Sequence, residues 1–260
     1  MRLYDSHCHF ETADAREISA VLARARAAGV EKVLAVGGSD ALNAAVSAAL
    51  GAAAERGTAD GESPAVVGAV GFDRDQAGMA EVEVVHALDS RLAAGGVVAI
   101  GEIGLDYHYS PETRDAQVSL FAAQLECARR RDMPVVIHTR EAADDTIALL
   151  REIPSRGVIH CFTGSPDEAR AYLDLGFCIS ISGIVTFRAA DNVRETALAV
   201  PDDRIMIGTD SPFLAPVPMR GKANEPAFVA YTCEFLAKLR GVSPEHFAEL
   251  AFANAERTFG

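Results

Sequence analysis

Cysteine is scarce in this chain, and no two cysteines stand in a CxxC pair. The five that occur are spread along the sequence, at Cys8, Cys127, Cys161, Cys178 and Cys233. A disulfide-stapled secreted domain has an even number of cysteines at close spacing, so this odd and scattered set argues against one. We therefore expect the chain to reside in a reducing cytoplasm.

Long apolar runs and an excess of basic residues are also missing. No run approaches the roughly 18 residues of a membrane-spanning helix, and the first residues lack the charged lead and apolar core of a secretory signal. Neither a membrane segment nor a signal peptide is therefore expected. The formal net charge is −13, from 24 basic and 37 acidic residues. This charge argues against broad electrostatic contact with DNA or an anionic membrane, but it is compatible with a local basic groove or with metal ions that carry the positive charge.

What the sequence does contain is a regular alternation of short apolar segments and longer amphipathic ones. Several short segments are apolar at consecutive positions, as in strands that a parallel sheet buries on both faces. The predicted strands are residues 3–5, 32–37, 65–71, 96–102, 134–138, 157–160, 177–182 and 204–210. The predicted helices are residues 15–28, 41–56, 78–94, 111–132, 142–152, 165–175, 188–200, about 225–240 and 243–257.

This α/β alternation fits two architectures, an open doubly wound sheet and a closed barrel. Eight strand–helix units in a chain of 260 residues favour the closed (β/α)8 TIM barrel. We expect residues 1–260 to form a single domain, and the polar segment 57–65 to be a loop rather than a domain boundary.

Residue types that bind metals collect at the ends of the predicted strands. Four of the seven histidines and two carboxylates lie at or just past a strand end: His7, His9, Glu102, His138, His160 and Asp210. In a parallel barrel the C-terminal strand ends converge on one mouth, where active sites are built. We therefore expect these six side chains to meet there.

The stretch DSHCHF near the N-terminus carries the first histidine pair. Residues i and i+2 of an extended chain point to the same side, so His7 and His9 both face the mouth while Cys8 points away into packing. A tag fragment or a structural accident would also place two histidines near an N-terminus, but a tag is an unbroken run of histidines. The same alternation turns Cys161 away from His160, so we expect both thiols to be buried and inert.

These positions predict two divalent-metal sites that share one carboxylate. One site combines the nitrogens of His7 and His9 with the carboxylates at the ends of strands four and eight. The other combines His138 and His160 with Glu102, which is shared. Paired ions of this kind lie about 3.5–4 Å apart. Imidazole ligands favour zinc or another transition ion, whereas carboxylates and phosphate substrates admit magnesium or manganese.

Eight stretches, in order along nearly the whole chain, make the sequence similar to the TatD-type metal-dependent hydrolases, often called TatD DNases, among the amidohydrolase-like barrels. They are DSHCHF (5–10), GEIGLDYHYS (101–110), PVVIHTREA (134–142), GVIHCFTGS (157–165), SISGIVTFR (180–188), IGTDSPFL (207–214), RGKANEP (220–226) and NAERTFG (254–260). The resemblance implies the same barrel and a two-metal centre. It implies that one ion is held by His7, His9, Glu102 and Asp210, and the other by Glu102, His138 and His160. It also implies metal-dependent deoxyribonuclease activity, typically 3′ to 5′ on DNA.

The predicted chemistry is hydrolysis of a phosphodiester. Glu102 would bridge the ions, and Asp210 would act both as a ligand and as the general base that accepts the proton of water. Four further residues near the mouth are predicted to contact substrate: His108, Arg140, Arg188 at the start of the helix after strand seven, and Arg220. The acidic balance restricts the expected nucleic acid contact to a DNA end or a short single strand, and no sequence pattern of aromatic and basic residues indicates a stacking platform.

Two other functions fit the same ligands. Hydroxide at a metal pair attacks carbonyl carbon as well as phosphorus, so an amidase, lactonase or esterase is the first alternative, including an enzyme that removes a misattached D-amino acid from tRNA. The second is a non-enzymatic metal-binding or partner-binding protein on a barrel scaffold, against which the complete set of six ligands argues. The sequence indicates no obligate protein partner.

Overall fold

The barrel prediction is confirmed by the arrangement of the strands. A computed structural model of the chain describes residues 1–56, 63–93 and 95–260, so most of the predicted loop 57–65 and the last residue of the predicted helix 78–94 lie outside the described residues. Eight strands form one sheet in which each strand pairs in parallel with its neighbours in the sequence. They are β1 (Leu3–Cys8), β2 (Val30–Val36), β3 (Ala65–Val70), β4 (Val97–Asp106), β5 (Val135–Arg140), β6 (Gly157–Ile159), β7 (Cys178–Ile181) and β8 (Ile205–Ile207).

The two edges of this sheet meet and close a (β/α)8 TIM barrel. Cys8 at the end of β1 forms a parallel bridge with Ser211, which lies beyond β8. The N–H of His9 donates to the carbonyl of Ser211 over 2.8 Å, and the N–H of Asp210 donates to the carbonyl of His7 over 2.9 Å. Closure therefore places the first candidate histidines beside the last candidate carboxylate.

Helices separate the strands and surround the barrel. They are α1 (Ala15–Ala27), α2 (Asp40–Arg56), α3 (Glu81–Leu92), α4 (Arg114–Arg130), α5 (Ala143–Glu152), α6 (Pro166–Asp174), α7 (Asp191–Ala199), α8 (Val229–Arg240) and α9 (Pro244–Phe259). Ser165 begins α6 as its N-cap, because its hydroxyl accepts from the N–H of Glu168 and the Glu168 carboxylate accepts from the N–H of Ser165. Ser243 begins α9 by accepting from the N–H of His246.

Three strands continue past their predicted ends, β1 to Cys8, β4 to Asp106 and β5 to Arg140, and the extension of β4 moves a candidate ligand. β4 continues to Asp106 because the segment from Gly104 to Asp106 pairs with the segment from His138 to Arg140 of β5. Glu102 therefore lies within the strand and not at its end. At Gly104, whose φ is +134°, a Cβ atom would lie 2.0 Å from the carbonyl oxygen of His138, so only glycine permits this close pairing.

Two other boundaries differ around the predicted substrate contacts and the general base. α7 begins at Asp191, and a 3₁₀ turn over Gly183–Thr186 precedes it, so Arg188 lies in the loop before the helix and does not open it. β8 ends at Ile207, three residues before Asp210. Asp210 is therefore carried by the segment that follows the strand.

Apolar side chains fill the lower part of the barrel, and polar ones occupy its mouth. Tyr4, Leu34, Val136 and Met206 belong to a buried cluster that also contains Phe252 of α9. A larger buried cluster lies between the strands and the surrounding helices. Removal of this apolar surface from water stabilises the scaffold that carries the site. Within the described ranges, no helix combines the length and the apolar character needed to cross a membrane.

Candidate metal centre

β1 and the residue after it deliver the first histidine pair to the mouth. The Nε2 atoms of His7 and His9 lie 3.1 Å apart. The Nδ1 atom of His9 lies 2.9 Å from the carbonyl oxygen of Val36, so Nδ1–H donates to the backbone and Nε2, once its proton is lost, can bind a metal. Cys8 between them is fully buried in the core outside the barrel, as the alternation of the strand predicts.

Glu102 of β4 divides its two oxygens between two histidine pairs. Its Oε2 atom lies 3.6 Å from Nε2 of His7 and 3.3 Å from Nε2 of His9. Its Oε1 atom lies 3.3 Å from Nδ1 of His138 and 3.2 Å from Nε2 of His160. One carboxylate therefore stands between two groups of nitrogen donors, which is the geometry of a bridging ligand.

Asp210 completes the side of the centre that is formed by β1. Its Oδ1 atom lies 3.6 Å from Nε2 of His7 and also 3.6 Å from Nε2 of His9. The residue has a φ of +57°, a left-handed conformation that a side chain other than glycine rarely adopts. Such strain collects at functional sites, where the surrounding structure holds it in place.

His138 is oriented by a buried carboxylate that the sequence analysis did not identify. The Oδ2 atom of Asp106, at the end of β4, lies 3.0 Å from Nε2 of His138, so that Nδ1 of the ring faces Glu102. The Oδ1 atom of Asp106 accepts from the backbone N–H groups of His108 and Tyr109 over 2.9 and 3.0 Å. Burial raises the pKa of Asp106, but His138, these N–H groups and Arg74 outweigh it and lower the pKa to about 2. The aspartate is therefore ionised and holds the ring in one tautomer.

The carboxylates of the centre are held in their ionised form by the imidazoles. Burial opposes ionisation of Glu102 and Asp210, yet contacts with His160, His7 and His9 keep both pKa values below their ordinary range. Burial, together with the charges of His160 and His9, lowers the pKa of His7 to about 4. Burial also lowers that of His9, but Asp210 and Glu102 outweigh it and raise the pKa to about 10. Anionic oxygens thus face nitrogen donors throughout the centre.

This donor set fits divalent cations. Three overlapping groups have ligand atoms within 4.8 Å of one another: His7, His160 and Asp210; His7, His9 and Glu102; and Glu102, His138 and His160. Both ring nitrogens of His160 and the Nδ1 atom of His7 are buried, and among the described residues they have no hydrogen-bond partner. Buried polar atoms are normally paired, so unpaired imidazole nitrogens beside carboxylates are the signature of a ligand position.

A second buried carboxylate, Asp5, ties β1 to the segment that carries Asp210. Asp5 is fully buried and accepts from the N–H of Thr209 over 2.8 Å, from its hydroxyl over 2.7 Å and from the N–H of His7 over 3.3 Å. Burial raises the pKa of Asp5 to about 7 against the effect of these donors. Sequence reasoning missed Asp5, although a charged residue inside an apolar strand was a usable signal.

Two of the four predicted substrate contacts lie against aromatic rings. The guanidinium carbon of Arg140, at the end of β5, lies 4.7 Å from the ring centre of Tyr109. That of Arg220, in the segment after β8, lies 3.9 Å from the ring centre of Phe187. Both arginines therefore belong to loops and strand ends on the mouth side of the barrel.

The other two predicted contacts are exposed. Arg188 makes no hydrogen bond or ion pair with any residue of the described chain. The Nδ1 atom of His108 lies 2.7 Å from Oε1 of Glu141, and both side chains are largely exposed. The contact holds His108 at the rim, outside the cluster around Glu102.

Cys161 departs from the predicted orientation. Its φ is +45°, which breaks the alternation of the strand, and its Sγ atom lies 3.0 Å from the hydroxyl oxygen of Ser182. Burial and the carboxylate of Asp210 raise the pKa of this thiol well above its ordinary value. Cys161 thus lies on the same side as the metal centre, and it is a neutral thiol there.

The sequence and the structure of this chain are similar to those of several known proteins. The family model of the TatD-related DNases matches residues 4–260. The uncharacterized metal-dependent hydrolase YcfH of Escherichia coli K12 is 42% identical over 267 residues, which cover 100% of this chain and 96% of that protein. A protein of Rahnella sp. named 3′-5′ ssDNA/RNA exonuclease TatD is 38% identical over 172 residues, 63% of this chain and 65% of that protein. The crystal structure of YJJV, a TatD homolog of Escherichia coli K12, matches with a TM-score of 0.85 and 29% identity, covering 99% of this chain and 98% of that one.

Proposed function

The chain belongs to the TatD-related DNase family of metal-dependent hydrolases, and from that premise we propose that it is a deoxyribonuclease that removes nucleotides from the 3′ end of DNA. The observation that carries the proposal is the position of Glu102, whose two oxygens face two separate pairs of histidines. Shared carboxylates of this kind are found where two ions act together in the hydrolysis of phosphodiesters. The name of the Rahnella relative supports a nucleic acid as the substrate.

Two divalent ions, zinc, magnesium or manganese, are part of the proposal. His7, His9, Glu102 and Asp210 would hold one of them, and Glu102, His138 and His160 would hold the other. When bound, such ions lower the pKa of water toward neutrality and polarise the phosphoryl oxygen. Proton transfer and the binding of phosphate are assigned to side chains of the protein.

Asp210 is the proposed general base. Its carboxyl is ionised because the histidines around it keep its pKa below the ordinary range, and its Oδ1 atom faces the Nε2 atoms of His7 and His9. An ionised oxygen in this position can accept the proton of the attacking water. Glu102 contacts both histidine pairs and so fixes their positions relative to each other. Asp106 keeps Nδ1 of His138 turned toward Glu102.

Phosphate is proposed to bind at the arginines of the mouth. Arg140 lies two residues after His138 on β5, and Arg220 lies in the segment that follows Asp210. Guanidinium groups bind phosphate oxygens in a bidentate manner and stay charged at every physiological pH. With a net charge of −13 on the chain, a few contacts at a DNA end or on a single strand fit better than a long duplex.

The test is hydrolysis of a 5′-labelled single-stranded oligonucleotide by the metal-loaded protein. We expect stepwise shortening from the 3′ end that a chelator abolishes. Asp210→Asn, purified in the same way, should be inactive, and Asp203→Asn, a change of an exposed carboxylate before β8, should be fully active. DNA that stays intact while a carboxyl ester, an amide or a D-aminoacyl-tRNA is turned over would replace the nuclease with an esterase or amidase on the same site.

A further inference from the structure

Exposed aromatic side chains are confined to the mouth of the barrel. The chain has 12 phenylalanines and 5 tyrosines, all of them within the described residues. Only two of these rings are exposed in the structure so described, Tyr109 at 63% and Phe213 at 55%. A single exposed ring is ordinary on a protein surface, so what matters for these two is that both lie on the face that carries the metal centre.

Each of the two rings is tied through its backbone to the metal centre. The N–H of Tyr109 donates to Asp106, the same carboxylate that orients His138. The N–H of Phe213 donates to the carbonyl of Asp210 over 2.9 Å. Tyr109 follows β4 and Phe213 follows β8, which are four strands apart in a closed ring of eight. The rings therefore lie on opposite sides of the mouth, with the metal centre between them.

Positive charge accompanies the Tyr109 ring. The guanidinium carbons of Arg74 and Arg140 lie 5.6 and 4.7 Å from its centre. Arg74 is also 3.6 Å from a carboxylate oxygen of Asp75 and 3.7 Å from one of Asp106. On the opposite side, Arg220 follows Phe213 in the same loop and lies against the ring of Phe187. Within the part of the chain that the structure describes, no carboxylate comes within 4.0 Å of the guanidinium of Arg140 or Arg220, and these two arginines make the mouth complementary to a polyanion.

We propose that Tyr109 and Phe213 are two base-stacking positions, so that a single strand of nucleic acid crosses the mouth with its scissile phosphate between them. This inference rests on the proposed function and adds to it the side chains that hold the strand. The faces of bases in a duplex are covered by their neighbours, whereas an unstacked base can lie on an aromatic ring beside an arginine. Arg140, against the Tyr109 ring, takes one flanking phosphate, and Arg220 of the Phe213 loop takes another.

This proposal accounts for a pattern that the sequence alone does not reveal. Tyr109 and Phe213 are far apart in the chain, and the sequence does not show that their segments meet. Closure of the barrel brings their segments to one face, and the contacts of Arg74 and Arg140 with Tyr109 form only there. The stacking platform is therefore a product of the fold.

The test measures binding and turnover separately in the metal-loaded protein. Binding is followed by the fluorescence anisotropy of a single-stranded oligonucleotide with phosphorothioate linkages at its 3′ end. Turnover is measured with the unmodified strand and with bis(4-nitrophenyl) phosphate, a phosphodiester that lacks neighbouring bases. The variants are Tyr109→Ala, Phe213→Ala and the double change, with Tyr109→Phe and Phe213→Tyr as ring-preserving versions. Leu198→Ala, an exposed apolar change on α7, is the control.

We expect each alanine variant to weaken binding of the single strand by about 5- to 150-fold, the range that loss of one stacked base produces. Metal content should stay at the wild-type level in every variant, the ring-preserving variants should bind like the wild type, and a blunt duplex should compete poorly. Unchanged binding in the double variant overturns the proposal, and so does equal competition by the duplex.

Failure of the proposed function has a different result. If the wild type hydrolyses neither phosphodiester, the chain is not a nuclease under these conditions. The anisotropy measurement still decides the stacking proposal, because it needs no turnover. A wild type that does not bind the single strand contradicts it, and binding that depends on both rings supports it.

Discussion

The two halves of the metal centre are held in place by different parts of the molecule. The side chains of His7 and His9 come from the end of β1 and the residue after it and are 1% and 7% exposed, and His9 is oriented by the carbonyl of Val36. In the second half His160 is 2% exposed, but the side chain of His138 is 23% exposed and is oriented by the carboxylate of Asp106. The first half is thus held by the backbone of the barrel, whereas the second depends at His138 on another side chain and opens there toward the mouth. Differences in affinity and in acid sensitivity between the halves should follow from this contrast.

Glu102→Gln should produce the largest effect, because it removes the group that both halves share. The amide has a single acceptor oxygen and no charge, so we expect metal content to fall by at least one equivalent. Turnover of DNA should fall by more than the about 10- to 100-fold that loss of an outer partner of a metal ligand causes. Elemental analysis and initial rates measure the two quantities. Glu152→Gln, at the exposed end of α5, is the matched control, and equal behaviour of the two variants would show that Glu102 bridges nothing.

Asp106→Asn should weaken only the second half. The aspartate holds His138 and contacts none of the residues of the first half, so the weaker of two metal-binding steps should lose about 10- to 100-fold in affinity while the other is unchanged. Calorimetric titration of metal into stripped protein resolves the two steps. Asp115→Asn on the exposed face of α4 controls for the loss of a charge. A uniform loss in both steps would remove the distinction between the halves.

Acid should destabilise the first half at a higher pH than the second. The pKa of His7 is lowered from 6.5 to about 4 by burial and by its neighbours. The unfolded chain therefore binds a proton at this side chain below about pH 6.5, whereas the folded protein binds it only below about pH 4. The contribution of His7 to the free energy of unfolding of stripped protein should fall by about 3 kcal/mol across this window, while Asp5, whose pKa is raised to about 7, contributes in the opposite direction. Chemical denaturation of wild type and His7→Asn at a series of pH values isolates the His7 contribution as the difference between the two curves, and His246→Asn should follow the wild-type curve.

The second half contributes its acid sensitivity at lower pH. The pKa of Asp106 is lowered from 3.8 to about 2, so its stabilising contribution is complete above about pH 4 and is lost as the pH falls toward 2. This contribution amounts to about 2 kcal/mol. In the same denaturation series, Asp106→Asn should flatten the curve only below pH 4. Flattening between pH 4 and 6.5 would contradict the separation of the two windows.

The fold and the convergence of the six candidate ligands on one mouth were predictable because their signals are local. A few residues are enough to recognise an apolar strand that ends in polar side chains, as at His7 and His9 at the end of β1. Parallel strands in a barrel then bring all such ends to one mouth, so no knowledge of exact contacts is needed. The prediction ended β4 too early, but the position of Glu102 was still predicted correctly, because its side chain points into the cluster from within the strand.

The residues that support the centre were not predictable in this way. Asp106 and Asp5 act through contacts with His138 and Thr209 that exist only after the strands have paired. Cys161 leaves the predicted face because its φ is positive, and alternation along a strand cannot anticipate a left-handed residue. Tyr109 becomes a partner of two arginines only when β3, β4 and β5 lie side by side.

Anomalous diffraction from crystals loaded with manganese or zinc tests the shared-carboxylate centre most directly. We predict two peaks about 3.5–4 Å apart. One should lie between Oε2 of Glu102 and the histidines of β1, and the other between Oε1 of Glu102 and the pair His138 and His160. A single peak, or peaks that do not contact Glu102, would contradict the two-ion centre.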